Sequence, residues 1–181
     1  SFNPFTVFFM SLLFCLFCFD LVPNDNMYFF NQNFQLLFVF FMICVSYCSY
    51  DFLIAKNIIK YEYDLLFIFV ILSGICLCFC NEFLLVYLAI ELQSLTLYIF
   101  ATFNRNSEFS TEAGLKYFVF GGVMSCFLLF GFCLIYLYFG SISFELIASI
   151  LNFTSEPLFF SGFLFVIIVL MFKVGCAPFH F

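Results

Sequence analysis

Four residues of this 181-residue chain carry charge or proton chemistry where none is expected: Glu91, Lys116, Lys173 and His180. Each lies in or beside a long apolar run. A charge at the centre of a bilayer costs about 2.5–3.5 kcal/mol on insertion scales, so such a residue is a functional candidate by default. Glu91 sits in the series Tyr87, Glu91, Ser94, Tyr98 and Thr102, whose spacing places all five on one helix face. The stripe faces either a water-accessible interior or a structural hydrogen-bonded seam between helices. Lys173 precedes Val174-Gly175-Cys176-Ala177-Pro178. Proline lacks an N–H and clashes with the carbonyl four residues back, which predicts a broken helix just after the lysine. Such breaks at membrane depth are tolerated where they line a cavity or protein interior. Snorkelling to the interface is the alternative for Lys173 and equally for Lys116, which lies near Glu112. His180, beyond the break, is a candidate proton carrier. Together, Glu91 and Lys173 are expected to form a switchable ion pair.

The elements that carry these groups are membrane helices. Hydrophobic residues make up 66% of the chain and charged residues 9%, against roughly 25% charge in an average soluble domain. A soluble fold of this size could not cover so much apolar surface. A span needs about 20 mostly apolar residues. Six candidates follow, at 5–19, 29–50, 65–80, 83–103, 112–139 and 158 to the C-terminus, with 140–157 read as a loop. The expected fold class is therefore an all-α membrane protein of about six transmembrane helices. Two regions are distinguished: N-terminal hydrophobic helices at 1–64, and 65–181, which holds all four candidate residues.

Connector charge sets an orientation. Lys56, Lys60 and Arg105 fall in the connectors after the second and fourth spans, whereas those after the first, third and fifth lack Lys and Arg. The positive-inside rule then places the N-terminus, the connector at 51–64, the loop at 104–110 and the C-terminus on the cytoplasmic or matrix side. Gly114, Gly121 and Ser125 share one face of the fifth span, which permits close helix approach.

Other chemistries lack support. The net charge is −6 and there is no basic patch for nucleic acid. Ten cysteines lie in apolar runs with one histidine in the whole chain. Zinc sites need four converging ligands, so the cysteines read as small hydrophobes. No nucleotide-binding glycine loop, activated nucleophile or iron–sulfur ligand run is present. The 36 Phe residues have no packing rationale; T-rich codon bias in an organelle genome would produce them.

Three segments are recognisable together: Glu91-Leu-Gln-Ser-Leu-Thr-Leu-Tyr98, Ser110-Thr-Glu-Ala-Gly-Leu-Lys-Tyr117 and Phe172-Lys-Val-Gly-Cys-Ala-Pro-Phe-His180. In order and spacing they resemble the NADH dehydrogenase subunit 2 family, antiporter-like membrane subunits of mitochondrial respiratory complex I. The resemblance covers residues 65–181; residues 1–64 match only in hydropathy. It implies an antiporter-like helix bundle, of which 65–181 is an incomplete first repeat. Glu91 corresponds to the family's first-half carboxylate, Lys173 to its partner on a broken helix, Lys116 to a lysine between them and His180 to a histidine past the break. It implies proton translocation coupled to quinone reduction elsewhere in the complex, in the mitochondrial inner membrane. The chain itself carries no cofactor motif. NADH, FMN, iron–sulfur clusters and ubiquinone are implied for the whole complex, and bound phospholipid is compatible with a chain this apolar. Implied partners are other membrane-arm subunits and membrane lipid. The family's central lysine and second repeat are not found in these residues, so a second polypeptide supplying them is expected, with a shortened subunit whose second half other subunits replace as the alternative. A cation/proton antiporter subunit and a structural subunit without proton traffic stand as alternatives.

Overall fold

The computed structural model describes residues 36–49, 61–150 and 157–176. Lys56, Lys60, Pro178, His180 and the expected first span lie outside the described residues. Six helices follow in order: α1 Leu36–Ser49, α2 Tyr61–Cys78, α3 Phe83–Ala101, α4 Glu108–Phe139, α5 Phe144–Ile150 and α6 Pro157–Val174. Helix is what these sequences must form. In hydrocarbon each backbone N–H and C=O needs an internal partner, and the i→i−4 ladder supplies one without help from neighbours. Among the described residues, α3, α4 and α6 are long and apolar enough to cross a bilayer. At 1.5 Å per residue α3 is about 28 Å long, close to the thickness of a hydrocarbon core, and α4 is about 48 Å.

Two details depart from the sequence reading. The expected loop at 140–157 contains the short helix α5, held because Ile147 is buried with Leu128, Phe132, Ile135, Val166 and Val169. The fifth span starts at Glu108 rather than near 112, because the last residues of the polar loop already join the helix.

Packing is sequential and antiparallel. α2 lies on α3, α3 on α4, and α4 makes its largest contact with α6. A first core cluster joins α1 and α2 through Val39, Phe67, Ile71 and Ile75. The α4–α6 contact is a backbone-to-backbone approach. A Cβ at Gly131 would lie 2.9 Å from the Gly162 carbonyl oxygen, and one at Gly162 would lie 3.0 Å from the Gly131 oxygen. Neither glycine had been singled out in the sequence.

The connectors confirm part of the expected topology. The Phe83 N–H donates to the Ile142 carbonyl at 3.2 Å, and the Phe144 N–H to the Asn81 carbonyl at 3.0 Å. The turn between α2 and α3 is thereby tied to the turn between α4 and α5 at one end of the bundle. At the opposite end the Ser110 hydroxyl donates to the Ala101 carbonyl at 2.7 Å, closing the loop that holds Arg105. The described basic connector and the two acidic ones therefore lie at opposite ends.

Most of the outer surface is apolar. Leu84, Leu88, Leu95 and Ile99 on α3, and Phe118, Val119 and Leu129 on α4, are exposed, as are Leu164 and Leu170 on α6. The described cysteines are free, and none is buried within the chain; Cys44, Cys48, Cys76, Cys126 and Cys133 lie on exposed apolar faces. These helices turn small apolar residues outward because their surroundings are not water.

Candidate functional site

The polar stripe of α3 is carried into the bundle by two notches in α4. A Cβ at Gly121 would collide with the Tyr98 hydroxyl, and one at Gly114 with the Thr102 methyl. Small residues in α4 thus make room for large polar ones in α3, as their spacing implied. Tyr98 is 6% exposed and Ser94 3%. Most hydroxyls here are satisfied within their own helix. Ser94 donates to the Glu91 carbonyl at 3.0 Å, Ser125 to the Gly122 carbonyl at 2.9 Å, and Thr102 to the Ile99 carbonyl at 3.1 Å. Ser73 and Thr96, buried but off the stripe, do the same with Val70 and Gln93. Spacing alone could not distinguish these self-satisfied hydroxyls from functional ones.

Glu91 and Lys173 have no such local escape. Glu91 Oε1 and Lys173 Nζ are buried side-chain atoms with no hydrogen-bond partner among the described residues. Each therefore stands in the bundle with a polar atom left unpaired. Their levels can be read along α4. Phe83 packs on Phe132 and Tyr98 lies against Gly121, while Gly131 meets Gly162 and Phe127 stacks on Phe165. Counted from those contacts at 1.5 Å per residue, both charged residues fall within about 8 Å of the midpoint of α4. The expected ion pair is not closed in this conformation: the only salt bridge among the described residues is elsewhere.

The expected break after Lys173 is present, and its cause is glycine. α6 ends at Val174, and Gly175 adopts φ 73°. The Gly175 N–H donates to the Phe172 carbonyl at 2.9 Å, and the Cys176 N–H to the Met171 carbonyl at 3.1 Å. This is a left-handed Schellman ending, which satisfies two carbonyls that a bare helix end would leave open. Lys173 falls in the last turn of α6, at the negative end of the helix dipole, where a cation is favoured.

Lys116 is not brought to this pair. Its Nζ donates to Glu112 Oε1 at 2.6 Å, with side-chain exposures of 67% and 59% for the two residues. It lies on the face of α4 opposite Gly114. Among the described residues no three His, Cys, Asp or Glu side chains group as metal ligands.

The structure is thus an all-α bundle of apolar, antiparallel membrane helices, with a buried carboxylate oxygen on α3 and a buried amine in the last turn of α6. The chain belongs to the NADH:quinone oxidoreductase/Mrp antiporter transmembrane family, which matches residues 80–181. The NADH-quinone oxidoreductase subunit N of Paramagnetospirillum magneticum is 39% identical over 138 residues, covering 73% of this chain and 28% of that protein. The NADH-ubiquinone oxidoreductase chain 2 of Marchantia polymorpha is 38% identical over 165 residues, covering 86% of this chain and 33% of that one. The chain thus spans about a third or less of the curated relatives it matches. In structure it is similar to a chain of respiratory complex I from Thermus thermophilus, with a TM-score of 0.71 and 24% identity over 99% of this chain and 41% of that chain. It is also similar to a chain of an archaeal membrane-bound sulfane sulfur reductase, with a TM-score of 0.69 and 23% identity over 81% and 30% of the two chains. Both likenesses show the fold.

Proposed function

We propose that this chain forms part of a proton-translocating membrane-arm subunit of an NADH:quinone oxidoreductase, with Glu91 and Lys173 as the groups that hold and pass the proton. The observation that carries this reading is the buried, partnerless state of both Glu91 Oε1 and Lys173 Nζ. Two opposite charges at 4 Å and an effective dielectric near 20 attract by about 4 kcal/mol. A buried amine near a carboxylate keeps its proton, and one drawn away from it tends to lose it. Opening and closing this pair therefore moves a proton without any redox group in the chain. Electron transfer from NADH to quinone, with its FMN and iron–sulfur clusters, belongs to other chains of such a complex. Adjacent membrane-arm subunits and lipid suit the exposed apolar faces of α3, α4 and α6. The Marchantia relative and the T-rich codon bias implied by 36 Phe support a mitochondrial inner-membrane location.

Lys116 and His180 complete the set of proton carriers. Lys116, exposed and paired with Glu112, would act at the outer face of α4, toward a neighbouring subunit. A cation/proton antiporter is the second reading, favoured by a family that embraces both types; cation-driven proton movement without NADH would select it. The deciding substitution is Glu91→Gln in the assembled enzyme. It keeps the size of the side chain and removes the charge. Quinone reduction is expected to persist while protons moved per electron fall; an assembled mutant with the normal ratio would refute the reading.

A further inference from the structure

Beyond the Glu91–Lys173 pair, the α3–α4 interface holds a group whose placement packing alone does not require. The Tyr98 hydroxyl, on a residue 6% exposed, enters the notch at Gly121 so closely that no larger residue fits there. Side chains on a helix tilt toward its N-terminus, so this hydroxyl points from Tyr98 back toward Glu91. Ser94, buried at 3% exposure, lies one helical turn before Tyr98 on the same face and so between it and Glu91. On the other side, the Tyr117 ring stands edge-on to the Tyr98 ring, with centroids 4.6 Å apart at 84°. Tyr117 is 38% exposed and lies toward the end of the bundle where Arg105 is found. The polar groups Tyr117, Tyr98, Ser94 and Glu91 thus form a row from the lateral surface of the bundle to the buried carboxylate.

We propose that Tyr98 is a proton-relay residue serving Glu91, with Gly121 as the notch that holds its hydroxyl in line. The inference rests on the proton-translocation reading above. In the relay, the Tyr98 oxygen accepts a proton from the Tyr117 side as its own proton passes to the Ser94 oxygen. The Ser94 proton passes in turn to the free oxygen of the Glu91 carboxylate. Each hydroxyl gains one proton and gives one up, so no redox partner is needed. The Ser94 hydroxyl is turned to the Glu91 main-chain carbonyl in this structure, at 3.0 Å. Delivery then requires one rotation about its χ1 bond, which makes Ser94 the break point of the path.

Tyr98→Phe in the assembled complex is the test, because it keeps the ring in the notch and removes only the hydroxyl. The expected result is normal assembly, a coupled proton-translocation rate lower by about tenfold, and a larger solvent deuterium isotope effect on turnover. A ring that merely fills space would leave the isotope effect unchanged. Normal rate and isotope effect in Tyr98→Phe would overturn the relay. If that variant fails to assemble, Ser94→Ala decides, since its hydroxyl bonds only within its own helix; a normal isotope effect there overturns the relay equally. An impaired Glu91→Gln beside a normal Tyr98→Phe would sink the relay alone, whereas normal behaviour in both would sink the underlying reading.

Discussion

Ser94, Thr96 and Ser125 each donate a hydroxyl hydrogen bond to a carbonyl three residues back, and so are satisfied in a low-dielectric interior. Glu91 and Lys173 cannot do this. Ionised, a carboxylate only accepts and an ammonium only donates, and a buried charge without a partner costs several kcal/mol. Such groups persist when a function requires them. Lys116 is different in kind, since it is exposed and already paired with Glu112 in the same helix. The contrast gives a prediction. Lys173→Met, which keeps length and removes charge, is expected to abolish most coupled proton movement in an assembled complex. Lys116→Gln is expected to leave assembly intact and to lower proton movement less. Measured proton-to-electron ratios of the two variants check the order, and a reversed order would mean that the outer face of α4 carries the main path.

Elements bring these residues together through glycine, and position decides which glycines matter. Gly121 and Gly122 are neighbours in sequence, yet a Cβ at Gly121 meets Tyr98 whereas one at Gly122 meets nothing within 4 Å. Gly121→Ala should therefore cost about 1–3 kcal/mol through forced repacking of the α3–α4 contact. Gly122→Ala should be neutral or stabilising by up to about 1 kcal/mol, because alanine favours helix. Thermal unfolding of the purified complex distinguishes them; equal melting temperatures would show that the notch tolerates a methyl group. The Gly131–Gly162 crossing follows the same logic, with backbone rather than side chain as the obstacle. It fixes α6 on α4 and so sets the level at which Lys173 stands. The Schellman ending at Gly175 sets where α6 stops.

Across the whole molecule, the pairing of residues 81–83 with 142–144 puts two acidic turns at one end and the Arg105 loop at the other. The positive-inside rule is expected to orient that axis with Arg105 on the cytoplasmic or matrix side. Cysteines placed at Asn106 and Ser141, with the native cysteines replaced, should react with a membrane-impermeant reagent from opposite faces, Asn106→Cys from the matrix side. Reaction of both from one face would refute the topology. The apolar exterior of α3, α4 and α6 fits a segment set among lipid and other membrane helices, and the matched relatives, three or more times the length of their aligned parts, fit a larger assembly.

The sequence by itself determined the solvent, the helices and the candidate charges. Hydrophobic runs of span length leave helix as the backbone's way to satisfy itself in hydrocarbon, and a charge in such a run is costly enough to stand out. The periodicity of Tyr87, Glu91, Ser94 and Tyr98 put them on one face, because that depends on a single helix. What faced that stripe depended on other helices. Tertiary structure decided that Gly121 rather than Gly122 receives Tyr98, that α6 meets α4 at Gly131 and Gly162, and that Lys116 pairs with Glu112 on an exposed face. It also decided that Glu91 Oε1 and Lys173 Nζ are both buried without a partner in this conformation. Register between helices is fixed by which side chains interlock across an interface, and no local spacing encodes it.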